Sequence, residues 1–218
     1  MIKSGDLRRI FEGAKLYEKH LLNKEFLVVY FDNTKNEYNH KEIHFSDYNF
    51  QHLTGIIYKG KNVFNDGSIS TMSKADFFYA ALNKSLKIED LYYKEDGTSD
   101  LKLQALNTAM TFPYTATMIG KYNNFRIAII ADICCGNIAS AIALRCNEND
   151  KLKAVSLLKA DVRTLVETPN PIKVICSKEK VDENKRAVKY SKVCRIAKNF
   201  DINILPDNIK SLISPDAL

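Results

Sequence analysis

The chain has 218 residues, of which 45% are hydrophobic, 27% charged and 10% aromatic, a balance that excludes disorder over most of its length and allows a sizeable core. Lys and Arg number 32 against 26 Asp and Glu, a net charge of +6, which is compatible with a polyanionic partner but far from a histone-like arm. Eight Gly and five Pro exclude collagen-like and linker-type chains, and with no Trp any base-stacking platform falls to the eleven Tyr and eleven Phe.

The opening MIKSGDLRRIFEGAKLYEKHLL carries charges throughout and has no secretory apolar region. Its Leu7, Ile10, Phe11, Ala14, Tyr17 and Leu21 fall at three- and four-residue spacing, which predicts an amphipathic helix capped by Ser4. Phe26 to Phe31 (FLVVYF) is a β-rich run, DNTKN is turn chemistry, and His40 to Ser46 alternates with Ile43 and Phe45 on one side, so the unit reads as a hairpin. Gly60 to Ser70 is polar and reads as an exposed loop. Ser73 then caps a helix, SKADFFYAALNKSL, whose Phe77, Ala80 and Ala81 share a face. A second helix follows Thr98 in DGTSDLKLQALNTAM and stops at Pro113.

From Thr115 to Cys146 the chain reads as three strands separated by turns at Tyr122-Asn123-Asn124 and Cys135-Gly136-Asn137. Between Ile138 and Cys146, alternation sets Ile138, Ser140, Ile142 and Leu144 against Ala139, Ala141 and Ala143, and the small side predicts a closely packed helix. Leu152 to Leu158 and Ile172 to Ser177 are two more strands, separated by a short helix after Asp161. The stretch from Val181 to Asn199 returns to helical spacing. Short connections favour antiparallel neighbours, so the expected class is α+β: an antiparallel central sheet with helices before and after it. The expected organisation is one domain over 1–218, with an N-terminal helix over 1–24, a core over 26–177 and a basic helical tail over 178–218.

Cys134, Cys135, Cys146, Cys176 and Cys194 are odd in number, contain no CxxC and lie in the second half. They read as buried thiols of a cytoplasmic protein, not as a disulfide frame or zinc site. The nearly uncharged stretch Ile127 to Leu144 contains Asp132, Gly136 and Asn137 and reads as strands, not a membrane span. No P-loop, Rossmann fingerprint, GxSxG elbow, HExxH or EF-hand loop occurs. His20, His40, His44 and His52 are the only histidines. His40 and His44 share a strand face but would lack further metal ligands.

His52, in NFQHLTGI, stands beside Thr54 and before Gly55, where a broken helical turn displays side chains at an element end. A backbone-bonded, partly buried imidazole satisfies the same spacing. Residues 178–198 hold eight cations and three anions, five of the chain's six net charges. Within that segment Lys185, Lys189 and Lys192 form a stripe at helical spacing, which suits either a solvated face or a phosphate track.

The runs NFQHLTGI, KADFFYAALNKSLKIEDLYYKEDGTSDLKLQAL, ATMIGKYNN, GNIASAIAL, SLLKADVRTL and KVICSK resemble, in content and order, the phage-associated barnase, EndoU, colicin E5/D and RelE-like nucleases, in the type numbered four. The HLTG block and the DGT-x-x-LK block are the more specific pieces, and the resemblance spans roughly Phe26 to Ser177. It implies metal-independent RNA cleavage without a cofactor, by attack of the ribose 2′-OH on the adjacent phosphorus, which needs a base, an acid and cations for the phosphorane. It also implies His52 as base or acid, Thr54 as a substrate-orienting donor, Lys102 on the phosphate, and Tyr122 in proton transfer or base stacking. Lys102 read alone is equally a snorkelling surface Lys, and Tyr122 a turn-packing ring. Lys121, Asn137, Lys159 and Arg163 are further RNA contacts in this reading, with Lys185, Lys189 and Lys192. Implied RNA partners are tRNA, mRNA or a guide RNA; implied protein partners are a host nucleoprotein or an antitoxin. The resemblance leaves open a toxin, a counter-defence factor in a bacterial cytoplasm, or an inactive RNA- or nucleoprotein-binding inhibitor on the same fold.

Overall fold

The computed structural model describes residues 1–63, 69–123, 129–147, 151–180 and 188–217. The chain opens with α1 (Ser4–His20), followed by the hairpin of β1 (Lys24–Asp32) and β2 (Glu37–His44), then α2 (Asp47–Thr54). Short strands β3 (Ile56–Tyr58), β4 (Lys61–Val63) and β5 (Ile69–Thr71) lead to α3 (Lys74–Leu82), β6 (Leu91–Tyr93), α4 (Ser99–Met110) and α5 (Phe112–Thr115). The second half is β7 (Met118–Lys121), β8 (Ile133–Gly136), β9 (Ala141–Cys146), β10 (Leu152–Leu158), β11 (Asn170–Glu179) and β12 (Lys192–Ile196), with a short α6 (Asp207–Lys210) near the end. The class is α+β, with a mostly antiparallel sheet and helices on both sides of it in sequence.

The main sheet runs β1-β2-β10-β9-β8-β7-β11-β12, and β1 also pairs with β11. Seven strands therefore close into a ring, and β12 hangs outside it. Strands β7 to β10 form the antiparallel meander that the short connections predict. The link the sequence does not predict is β2 to β10, parallel, with Leu152 opposite Ile43 and Lys153 opposite His44. Long β11 makes closure possible. Its first two residues pair with β7, the rest with β1, and its other edge takes β12.

The unbroken FLVVYF run is explained by burial on both faces, the pattern of a covered strand. Phe26 and Val28 face the helices, while Leu27 and Val29 face Tyr190, Ile202, Leu205, Ile209 and Ile213 from the C-terminal segment. The helix expected over Val181 to Asn199 is thus corrected: 181–187 lie outside the described residues, and Lys192–Ile196 is a strand. Backbone pairing decides this, because the open edge of β11 offers N–H and C=O groups that helical spacing alone would leave unmatched.

Ile10, Ala14 and Tyr17 of α1 are completely buried, so the N-terminal helix is part of the core. Tyr17 Oη donates to Ser46 O at 2.7 Å, and Tyr93 Oη donates to Asp6 at 2.5 Å. Ser4 is the first helical residue, and Lys3, not Ser4, holds the cap position. On β9, Ile142 and Leu144 face the helices while Ala141 and Ala143 face the turn around Val162 and Leu165. The small-residue side accommodates the one-turn 3₁₀ helix Val162–Thr164, the short helix expected after Asp161. No helix among the described residues is long and apolar enough to cross a membrane.

The β8–β9 hairpin packs with no room for a side chain at Gly136, where a Cβ would stand 2.7 Å from Ala141 Cα and closer still to Ser140 O. Both obstacles are backbone and cannot rotate away. Gly136→Ala is expected to lower unfolding free energy by ~2 kcal/mol or more, read as a lower urea midpoint at unchanged m-value.

Candidate active site

Helix α2 is set against the sheet by a carboxamide. Asn49 accepts from Ser46 N–H at 2.8 Å, closing the first turn, and its Nδ2 donates to Ala154 O of β10 at 2.9 Å. His52 follows one turn later on that side of the helix and is partly buried. The helix stops at Gly55, whose φ of 68° is the left-handed conformation that glycine adopts without strain.

That stop is where α4 begins. Ser99 Oγ donates to Gly55 O at 2.6 Å and accepts from Lys94 N–H at 2.8 Å. One turn on, Lys102 lays its methylenes across Gly55, so that a Cβ at position 55 would sit 2.7 Å from Lys102 Cδ. Two glycine properties are used at once: the turn and the open space for a lysine stem. The HLTG and DGT-x-x-LK blocks, far apart in sequence, meet at this junction.

Lys102 is only 6% exposed, yet among the described residues no carboxylate forms an ion pair with it and no acceptor bonds its ammonium. It lines a cleft of about 490 Å³ between the start of α4 and the end of β10, together with Lys94, Lys159, Asp96, Thr98 and Ser156. Leu101, Val155 and Leu158 supply the apolar wall of the same cleft. Burial lowers the Lys102 ammonium's pKa, and Lys94 lowers it further against the opposing pull of Asp96. Asp96 is held as a carboxylate, its pKa depressed by the Thr98 N–H at 3.0 Å and the Thr98 hydroxyl at 2.8 Å.

His52 does not line the cleft, but it shares the field around it. Burial lowers its pKa below the ordinary imidazole value, and Lys74, Lys94, Lys102 and Lys153 add to the shift in that order. The imidazole is therefore neutral at pH 7, the state that accepts a proton. Spacing gives no warning of Lys74, Lys94 or Lys153. They come from α3, the end of β6 and β10, and only the fold brings them around one ring.

The remaining expected site residues have other surroundings. Thr54 is completely buried, donating to Gln51 O at 2.8 Å and accepting from Ile56 N–H at 3.2 Å, so its hydroxyl is committed to the end of α2. Tyr122 does not line the cleft; its ring packs among Cys134, Leu165 and Val166, and burial raises its phenol pKa. Lys121 pairs with Glu167 at 3.0 Å. Asn137 Oδ1 accepts from Ala139 and Ser140 N–H at 2.8 and 3.1 Å, a turn-closing role. Arg163 forks onto Asp161, with Nε at 3.1 and 3.0 Å from the two carboxylate oxygens. Lys159 lines the cleft and donates to Gln104. Lys189 and Lys192 are exposed beside and on β12 rather than on a helix, and Lys185 lies outside the described residues.

A family model described as phage-Barnase-EndoU-ColicinE5/D-RelE like nuclease4 matches residues 9–193. No curated protein and no solved structure matches the chain.

An unpaired buried cation opposes folding, so its removal has a sign. Lys102→Met keeps the stem against Gly55 and deletes the charge. It is expected to raise unfolding free energy by ~1–2 kcal/mol and, by removing one of the repelling charges, to raise the His52 pKa in an NMR titration. A destabilised variant with an unmoved His52 titration would contradict this geometry.

Proposed function

The chain belongs to the phage-Barnase-EndoU-ColicinE5/D-RelE-like nuclease 4 family, and on that premise we propose that it cleaves RNA at the junction of α2 and α4, in the cleft facing β10. The observation that carries this reading is Lys102, a buried lysine with no counter-ion among the described residues, in a nucleotide-sized cleft that also holds Lys94 and Lys159. Such a group is satisfied when an anion enters, and a phosphodiester brings that anion with a base for the apolar wall.

In the proposed step His52, outside the cleft lining but within the field of its lysines, takes the proton of a ribose 2′-OH at the cleft's edge while the 2′ oxygen bonds to the adjacent phosphorus. The bond from phosphorus to the 5′ oxygen breaks, leaving a 2′,3′-cyclic phosphate. The lysine ammonium groups offset the charge that builds on the phosphorane oxygens. The departing oxygen needs a proton, and the depressed Lys102 pKa suits that group to supply it. Thr54 acts in this scheme by fixing the end of α2, and Tyr122 by packing. The setting in this reading is a phage or other mobile element, and the RNA is tRNA, mRNA or a guide RNA of a bacterial host.

One observation favours a second reading, an RNA-binding protein without turnover. Among the four histidines, His52 alone responds to the cleft lysines, so the site has a single imidazole where two proton-transfer groups are usual. Cleavage decides between the two.

Incubation with RNA in EDTA is expected to yield 2′,3′-cyclic phosphate and 5′-hydroxyl ends. A 2′-deoxy residue at the cut position should block cleavage. His52→Ala is expected to lower kcat by ~10²–10⁴-fold and Lys102→Met by ~10²–10³-fold. The acid limb of kcat/KM should lie below the ordinary imidazole value, because the base is active only when unprotonated and its pKa is lowered. Full activity of His52→Ala, or cutting at a 2′-deoxy position, would contradict the mechanism; tight RNA binding with intact RNA would support the second reading.

A further inference from the structure

A second cleft, of about 420 Å³, opens where β1, β7, β8 and β11 meet, at residues that the proposed reaction does not use. The volume lies within the ~300–1,000 Å³ range of small-molecule sites. Ile119 and Ile133 supply its apolar surface. Tyr30 and Asn170 also line it, and each is only 8% exposed.

Both side chains have polar capacity to spare. Asn170 Oδ1 accepts from Asn33 N–H at 3.0 Å, which orients the carboxamide, while no acceptor among the described residues takes its Nδ2 hydrogens. The Tyr30 hydroxyl likewise has no partner among them. The unpartnered side-chain atoms that are sealed from solvent are His44 Nδ1 and Asn107 Oδ1, so the free groups of Tyr30 and Asn170 remain accessible. Two free polar groups that open to one cleft, on side chains more than nine-tenths buried and beside an apolar surface, have the form of a ligand site.

Charge selects the ligand class. The lining carries Asp32 and Glu167 against Lys35 and Lys121, no net charge, and Lys121 is already bound to Glu167 at 3.0 Å. The Lys102 cleft has three lysines against one aspartate and suits phosphate. The neutral cleft suits an uncharged planar group with an edge that accepts from Asn170 and exchanges a hydrogen bond with Tyr30. Asp32 is available to a ligand amine, because Thr34 and Lys35 N–H use only its Oδ1. We infer that this cleft is a nucleobase-binding site, separate from the cleavage site; the choice of nucleobases among planar ligands rests on the nuclease reading.

The test uses the four uncharged ribonucleosides and the full chain, followed by calorimetry and by the methyl signals of Ile119 and Ile133. At least one nucleoside should bind saturably and shift both methyl signals, with inorganic phosphate failing to compete. Tyr30→Phe removes a hydroxyl that supports no other contact, so stability should hold while affinity falls at least tenfold. Asn170→Asp keeps the acceptor for Asn33, removes the donor, and should weaken the same nucleoside. A second arm uses an uncleavable 2′-deoxy-substituted oligonucleotide with His52→Ala. Weaker oligonucleotide binding in Tyr30→Phe/His52→Ala would assign the base to the RNA strand; loss of nucleoside binding alone would assign it to a free nucleoside or nucleotide. Either result supports the site. No saturable nucleoside binding, binding that neither variant weakens, or phosphate binding in its place would overturn it. Nucleoside binding is read without cleavage, so it survives or fails independently of the proposed reaction.

Discussion

The proposed site depends on a single lysine, buried where two helices meet and without a counter-ion among the described residues. The cost of desolvating an ammonium is ordinarily met by a carboxylate or by escape of the long side chain to solvent. Among the described residues Lys102 has no such carboxylate: its stem is pinned across Gly55, its ammonium meets solvent only through the cleft, and the opposing charge of Asp96 is tied to Thr98. The surrounding structure must outweigh that unfavourable burial, and it is built to do so. Ser99 bonds Gly55 across the helix junction, Asn49 locks α2 to β10, and the core beneath them is filled by Phe50, Leu53, Leu103 and Leu106. A charge held in place before any ligand arrives costs no reorganisation during reaction, which is the condition for electrostatic catalysis.

The closed sheet serves the same end. An open sheet of this size would leave β1 or β10 at an edge, free to slip or to pair with another chain. Here β1 is paired on both sides, and β10 lies between β2 and β9. The strand that anchors α2 and contributes Val155 to Lys159 to the cleft is thereby fixed along its length. Closure also creates the second, neutral cleft at the far strands. One chain thus presents a cationic recess and an uncharged one.

What could be read from the sequence follows from which forces are local. Strands β1, β2, β7 to β11 and helices α1, α3 and α4 follow from periodicity and from caps such as Ser73, because each depends on its own side-chain pattern. The parallel β2–β10 link, ring closure through β11 and strand β12 depend on which edges remain unpaired after the rest has folded, and no window of sequence records that. Lys192 has the same spacing to Lys189 in a helix or on a sheet edge, and only the vacancy on β11 distinguishes them. The HLTG and DGT-x-x-LK blocks point to His52 and Lys102; the blocks meet through Gly55, Ser99 and Lys102, while His52 stays outside the cleft lining. Thr54 in the HLTG block and Tyr122 in ATMIGKYNN carry the right chemistry, yet the first completes a helix end and the second packs among Cys134, Leu165 and Val166. Their hydroxyls were legible as chemistry but not as burial. Lys74, Lys94 and Lys153 were missed because isolated lysines carry no pattern until folding collects them.

The most direct measure of this account is the titration of Lys102 itself, followed through its 13Cε resonance in the free protein and with an uncleavable oligonucleotide bound. The account requires a pKa below the ordinary ~10.4 of a lysine in the free protein and a rise when a phosphodiester enters the cleft, since the anion supplies the missing counter-charge. A Lys102 that titrates like a surface lysine, and does so equally with and without the oligonucleotide, would show that no poised cation exists and would remove the basis for the cleavage site.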